Sequence, residues 1–163
     1  MTSLKHTLLS FSLLVFSTVA TAQETHSASN HHEHHNHEIG MGNSAVVLLT
    51  EEEITYGMHL HYIYNIQASK LGLGLGYERI FDEHKHNAVG VIFSYRPLEM
   101  LSFSLMPGIS FENGEIENSS PALHFETAYE FEFEDFHFGP VLEFAVDRKD
   151  AHLGLGIHIG VGF

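Results

Sequence analysis

Cysteine and tryptophan are absent from this 163-residue sequence, and lysine and arginine together number only seven. Without cysteine the chain has neither a disulfide framework nor the acylated N-terminal Cys of a lipoprotein. Its formal net charge is −14 at pH 7 with histidine counted as neutral. We expect no nucleic-acid partner and no polyanionic ligand, because phosphates require cationic side chains. Protons, metal ions and cationic groups stay open as ligands.

Long apolar runs are confined to the start of the chain. Lys5 precedes an apolar run over residues 8–19, and Ala20-Thr21-Ala22 supplies the small residues that signal peptidase accepts. The run is too short for a membrane span, which takes about 20 residues. We therefore predict that residues 1–22 are a cleaved signal peptide, that the chain is exported, and that it begins at Gln23 after cleavage.

Residues 23–36 form a polar segment without apolar periodicity, which predicts a disordered, histidine-rich tail. Neutral imidazole is a common ligand for zinc, copper and nickel, and Glu33 and Glu38 could complete a site. The predicted ligands are His26, His31, His32, His34, His35 and His37. A flexible segment fixes no geometry, so the metal's identity stays open, and a solvated tail without a metal role is the alternative. No motif requires a cofactor. His84 and His86, with Asp82 and Glu83, form a smaller candidate cluster.

From about residue 37 onward, apolar residues alternate with small or polar ones, which is the period-two pattern of β-strands. Each run is about as long as the 9–11 residues of a tilted transmembrane strand. Short turn-like links separate the runs, so we predict an antiparallel meander over residues 37–163. The eight predicted strands are 38–49, 54–66, 71–81, 87–96, 101–112, 122–132, 136–147 and 151–163.

Two closed structures fit this pattern. A soluble ligand-binding barrel would turn its apolar face inward, whereas a membrane barrel turns it outward. Rows of large side chains would overfill an eight-stranded interior, while the glycine rows of the opposite face fit it. Aromatic residues also gather at one height, as in an interfacial girdle: Tyr62, Tyr64, Phe93, Tyr95, Phe103, Tyr129, Phe131, Phe136, Phe138 and Phe163. We therefore predict an all-β, up-and-down transmembrane β-barrel; a soluble periplasmic barrel is the alternative.

With its short turns on one side, charged links on the other and a last strand ending in Phe163, the chain resembles the small eight-stranded outer-membrane barrels, such as the OmpA transmembrane domain and OmpX. The resemblance implies the outer membrane of a Gram-negative bacterium, with membrane lipid and lipopolysaccharide as surroundings. It also implies that the barrel-assembly machinery recognises Ile159, Val161 and Phe163. The missing tryptophan is a departure, since the family's girdles often contain it.

Strand parity predicts which polar residues face the narrow interior: His59, His61, Glu78, Arg96, His124, Glu126, Glu130, His137, Glu143 and His158. Two-residue turns would place His59 opposite Glu78, and Glu126 opposite Glu143. The two opposed carboxylates repel each other, so a protonated histidine, a protonated glutamate or a bound cation must compensate. The alternative is a purely structural network of hydrogen bonds and ion pairs.

An enzyme is the main rival class, because some barrels that this chain resembles act on lipid A. Those enzymes use a histidine, a serine and a carboxylate near the membrane-facing surface. Here the outward positions are nearly all apolar, and His59 with Glu78 has no nucleophile beside it. We expect no catalytic residues and no enzymatic activity.

Overall fold

The computed structural model describes residues 35–163. The predictions for residues 1–22, and for the tail ligands His26, His31, His32 and His34, lie outside the described residues. Nine strands follow in chain order: β1 (His37–Leu48), β2 (Glu53–Asn65), β3 (Leu71–Ile80), β4 (Asn87–Leu98), β5 (Leu101–Phe111), β6 (Ser120–Tyr129), β7 (Phe131–Phe133), β8 (Phe136–Val146) and β9 (Ala151–Gly162). A 3-10 turn, Ile116–Asn118, lies between β5 and β6. Within residues 35–163, no helix has the length and apolar character needed to cross a membrane.

The sheet closes on itself, because β1 pairs with both β2 and β9. All pairings are antiparallel between neighbouring strands. β6 and β7 form one barrel strand, since both pair with β8 and only Glu130 separates them. The predicted fold, an eight-stranded antiparallel up-and-down barrel, is therefore confirmed.

The strand registers follow the turns. His59 lies opposite Glu78, Glu126 opposite Glu143, and His158 opposite a glycine of β8, as two-residue turns predict. A β-bulge between Tyr95 and Leu98 shifts the pairing of β4 with β5. Proline within this bulge lacks the N–H that a regular ladder needs. The sequence pattern did not predict the bulge.

The two ends of the barrel differ in their connections. The terminal end, where β1 begins and β9 ends, has tight turns near residues 67–70, 99–100 and 134–135. The far end carries the longest connection, over residues 112–119, and the links 49–52, 81–86 and 147–150. Tight turns at one end and longer loops at the other are typical of outer-membrane barrels.

Large apolar side chains point away from the barrel on every strand. Leu75 is 64% exposed and Phe93 53% exposed, and the predicted aromatic girdle also lies on this outer face at the terminal end. In water this surface would be unfavourable, but in a bilayer it contacts hydrocarbon. The arrangement is that of a membrane barrel and excludes the soluble alternative.

The interior is filled. Two buried apolar clusters lie inside, one formed by Val46, Leu48 and Ile80, the other by Ile63, Ile92 and Met106. Glycine allows strands to approach closely: a Cβ at Gly139 would clash with the backbone oxygen of Tyr129. An eight-stranded barrel leaves only enough interior for side chains, and here they occupy it.

Candidate functional site in the barrel lumen

All the polar residues predicted to face inward do so, and all but Arg96 are buried. The strands also bring Glu38 and His152 into the lumen, which the prediction had not included. The buried carboxylates are therefore Glu38, Glu78, Glu126, Glu130 and Glu143. The buried imidazoles are His59, His61, His124, His137, His152 and His158. These residues form three groups along the barrel axis.

The terminal-end group is organised by Arg96. Its Nη2 donates to Glu130 Oε2 at 2.9 Å and to Glu38 Oε2 at 3.1 Å. The Ser102 hydroxyl donates to Glu130 Oε1 at 2.7 Å, and His61 Nε2 lies 3.3 Å from Glu38 Oε1. The suggestion that Glu38 completes a site in the tail is therefore wrong: its carboxylate is buried and paired with a guanidinium.

The middle group contains the two opposed carboxylates. His59 Nδ1 hydrogen-bonds Glu126 Oε2 at 2.8 Å, and the Ser44 hydroxyl donates to Glu143 Oε2 at 2.9 Å. Glu143 Oε1 and His59 Nε2 are buried without a hydrogen-bond partner. The ring of His59 thus bonds a glutamate on another wall of the barrel rather than Glu78, its neighbour in the sheet.

The far-end group consists of Glu78, His124 and His152. His152 Nε2 lies 3.1 Å from Glu78 Oε1, and His124 Nδ1 lies 3.2 Å from Glu78 Oε2. Neither ring nitrogen of His124 has a partner with hydrogen-bond geometry. A cavity of about 20 Å³ borders these residues. It shares Leu48 and His86 with a cavity of about 280 Å³ at the far end.

The imidazoles form a continuous column along the lumen. Successive ring centroids are 6.4 Å apart for His152 and His124, 5.5 Å for His124 and His59, 5.2 Å for His59 and His61, 5.0 Å for His61 and His158, and 5.2 Å for His158 and His137. Imidazole is both a proton carrier and a metal ligand at physiological pH. A column of such rings among carboxylates can hold cations.

The two described tail histidines are held by neighbours at the terminal end. His35 Nε2 lies 2.8 Å from Asp135 Oδ1. His37 is the first residue of β1, and its Nδ1 lies 2.7 Å from the Tyr62 hydroxyl while its ring stacks on Phe163 at 5.5 Å. In each ring, these contacts involve one nitrogen and not the other.

Two further predicted groups lie apart from the column of imidazoles. Ile159, Val161 and Phe163 all face outward on the last strand, and they are 37%, 46% and 57% exposed. His84 and His86 both line a cavity at the far end. They pair with different carboxylates there: His84 with a glutamate of the first loop, and His86 with an aspartate after β8.

Eight antiparallel strands, a closed sheet, an apolar outer face and a polar interior define this protein as a small outer-membrane-type β-barrel. No protein-family model matches the chain, and no curated protein matches it. Solved structures of the same fold do.

Three solved structures illustrate the likeness. Ail, the attachment invasion locus protein of Yersinia pestis, superposes with a TM-score of 0.57 at 15% identity, over 78% of this chain and 97% of Ail. Neisserial surface protein A gives 0.55 at 10% identity, over 78% and 96%. The N-terminal β-barrel domain of Pseudomonas aeruginosa OprF gives 0.50 at 13% identity, over 79% and 98%. At such identities the likeness establishes the fold.

Proposed function

We propose that this chain is a non-enzymatic outer-membrane protein of a Gram-negative bacterium that binds divalent transition-metal ions through its histidine-rich N-terminal segment. The observation that carries the proposal is the density of imidazole, with six histidines between residues 26 and 37. Zinc, copper and nickel are the ions that such ligands suit.

The terminal end of the barrel supports this role. In barrels of this class both termini face the periplasm, so the segment before β1 is joined to the barrel on that side. His35 lies at this rim beside Asp135, whose side chain is 70% exposed. Carboxylates at the rim raise the local concentration of cations. The segment would then buffer metal ions in the periplasm or pass them on.

The partners of the buried serines in residues 35–163 support a non-enzymatic role. In this part of the chain, buried serine hydroxyls donate to carboxylates, as Ser44 and Ser102 do, and none hydrogen-bonds an imidazole. Activation of a serine nucleophile requires a base within hydrogen-bond reach.

The metal role is tested by calorimetric titration of the full chain, folded in detergent, with Zn²⁺. In the test variant His26, His31, His32 and His34 are replaced by asparagine. We expect the variant to bind fewer Zn²⁺ ions per chain at high affinity than the parent does. A matched control replaces four other polar residues of the segment, Ser27, Ser29, Asn30 and Asn36, with alanine, and should bind as the parent does. Affinity of the segment no tighter than millimolar would end the proposal.

Assembly into the membrane is a second part of the proposal. Ile159, Val161 and Phe163 present the alternating outward row that the barrel-assembly machinery would recognise, with lipid and lipopolysaccharide as the final surroundings. Deleting Phe163 should lower the amount of folded protein in outer-membrane fractions of cells. Refolding of the purified variant in detergent should be unchanged, since no machinery takes part there. Equal loss in both settings would point to a structural role for Phe163.

A further inference from the structure

We propose a second metal site, independent of the N-terminal segment, inside the barrel near its far end. Its ligands are His124, Glu78 and Glu143, which together bind one divalent transition-metal ion. Each residue is buried, and each offers one ligand atom within 4.8 Å of the others. Two carboxylates and an imidazole are a donor set that suits Zn²⁺, Co²⁺ and Mn²⁺.

The carboxylates are already oriented for a shared ion. Glu78 is held through Oε1 by His152, and Glu143 is held through Oε2 by the Ser44 hydroxyl. Each carboxylate therefore keeps its other oxygen for a ligand. In protein metal sites, hydrogen bonds from neighbouring residues commonly fix the orientation of the ligand side chains.

Two of the three ligands carry buried polar atoms without a hydrogen-bond partner. Both ring nitrogens of His124 and Oε1 of Glu143 are buried without a hydrogen-bond partner. Such groups are rare in folded proteins, because an unsatisfied buried polar atom costs free energy. His124 Nδ1 and Glu78 Oε2 are 3.2 Å apart without hydrogen-bond geometry. Two ligands that each lie about 2.0–2.2 Å from a tetrahedral zinc ion are separated by a similar distance, roughly 3.3 Å.

Charge distinguishes this site from the terminal-end group, and the unpartnered imidazole of His124 distinguishes it from the middle group. At the terminal end the guanidinium of Arg96 already pairs with Glu38 and Glu130, so a dication there would be repelled. In the middle, the hydrogen bond from His59 engages Glu126. Among the described residues, no lysine or arginine pairs with Glu78 or Glu143. A dication would neutralise these two carboxylates.

Two cavities at the far end lie on the side from which an ion would approach Glu78 and His124. The cavity of about 20 Å³ beside Glu78, His124 and His152 has room for about one water-sized species. It adjoins the cavity of about 280 Å³, which is lined by Glu51, Asp82, His84 and His86 among others. This outer cavity is acidic and would concentrate cations at the mouth of the barrel.

The test uses the full chain in which His26, His31, His32 and His34 are replaced by asparagine, so that the N-terminal segment contributes little. Co²⁺ is the probe, because a tetrahedral cobalt site has visible absorption bands. We expect one tightly bound Co²⁺ per chain that Zn²⁺ displaces. Glu143→Gln and His124→Gln should each abolish the bands. Ser44→Ala, which removes only the support of Glu143, should weaken binding by about 10–100-fold.

His158→Gln is the matched control, because it also removes a buried imidazole, but one whose Nδ1 lies 3.7 Å from Glu130 Oε1 in the terminal-end group. It should bind Co²⁺ as the parent does. Equal loss in this control, or no bound Co²⁺ at millimolar concentration, overturns the lumen site. Heat-dependent gel mobility reports whether each variant is folded. If Glu143→Gln does not fold, Ser44→Ala tests the role of Glu143 in its place. If replacing the four tail histidines removes all metal binding and the lumen substitutions remove none, the result supports the N-terminal segment and refutes the lumen site.

Discussion

Glu126 and Glu143 lie directly opposite each other on β6 and β8, yet their carboxylates have different partners. Glu126 accepts a hydrogen bond from an imidazole, whereas Glu143 has only the Ser44 hydroxyl on one oxygen and nothing on the other. Like charges that face each other in a sheet destabilise it. The stability of the barrel therefore depends on what neutralises Glu143.

Replacing Glu143 with glutamine should have opposite effects with and without metal. In chelator, the loss of repulsion should raise the free energy of unfolding by about 1 kcal/mol. With Zn²⁺ at about 100 times its dissociation constant, the parent should gain about 2.7 kcal/mol and the variant should gain nothing from the lumen site. The chain has no tryptophan, so urea unfolding in detergent is followed by far-ultraviolet circular dichroism.

Glu126→Gln is the control for this experiment. It removes the same repulsion but leaves His59 facing an amide in place of a carboxylate, so it should not stabilise the metal-free barrel. A metal-free Glu143→Gln barrel that is less stable than the parent would contradict the repulsion between the two carboxylates.

Period-two alternation and turn chemistry were sufficient to predict the number of barrel strands, the face of each residue and the register across three tight turns. Parity states only which side of the sheet a residue faces. It does not state which residue meets it across the lumen, because that depends on the tilt and closure of the barrel. The pairing of His59 on β2 with Glu126 on β6 joins strands that are not neighbours. It could be found only in the closed structure.

Glu38 and His152 show the same limit at strand ends. The sequence pattern makes Glu38 both the first residue of the predicted strand 38–49 and a neighbour of the tail histidines, and it does not decide between the two roles. The pairing of β1 with β2 and β9 turns its side chain into the lumen, where Arg96 contacts it. The bulge of β4 beside Arg96 cannot be recognised from the alternation of apolar and polar residues. Only the proline at residue 97 marks it in the sequence.

Arg96→Gln should destabilise the barrel strongly. The variant leaves Glu38 and Glu130 buried without their cation, and breaking a buried ion pair from one side costs about 3–5 kcal/mol. Arg96→Lys should recover part of this loss, because one ammonium cannot reproduce both guanidinium contacts. Arg79→Gln is the control, since Arg79 lies over the Phe81 ring at 5.2 Å on the outer side and should cost under about 1 kcal/mol. Equal losses for Arg96→Gln and Arg79→Gln in urea titrations would contradict the ion-pair argument.

Leu75→Arg tests where hydrocarbon contacts the barrel. Leu75 lies in the middle of β3 and is 64% exposed, so a charge there would lie near the bilayer midplane. Such a substitution costs about 2–4 kcal/mol at the midplane and about 0–1 kcal/mol near an interface. Ile54→Arg, at the start of β2 and 70% exposed, is the matched interfacial variant. In phospholipid vesicles, Leu75→Arg should lower the free energy of unfolding more than Ile54→Arg does. Equal losses would show that Leu75 does not lie near the bilayer midplane.

Asp147 joins three segments at the far end and should make the stability of the barrel depend on acid pH. Its carboxylate accepts hydrogen bonds from the Ser110 hydroxyl on β5 and from His86. The backbone N–H groups of Lys149 and Asp150 donate to its other oxygen. Burial alone would raise the pKa of Asp147, but these hydrogen bonds outweigh it and lower the pKa to about 2.

A folded-state pKa of about 2, below the usual 3.8, means that the ionised carboxylate stabilises the folded protein above pH 4. This contribution is lost as the pH falls from about 4 toward 2, because the unfolded chain then binds a proton that the folded carboxylate still excludes. Asp147→Asn removes the titrating group and should cost about 1–3 kcal/mol at pH 6. The difference in unfolding free energy between parent and variant should shrink between pH 4 and pH 2. Glutamates of the lumen titrate in both proteins, so their effect cancels in the comparison, and a difference that stays constant over this range would contradict the lowered pKa.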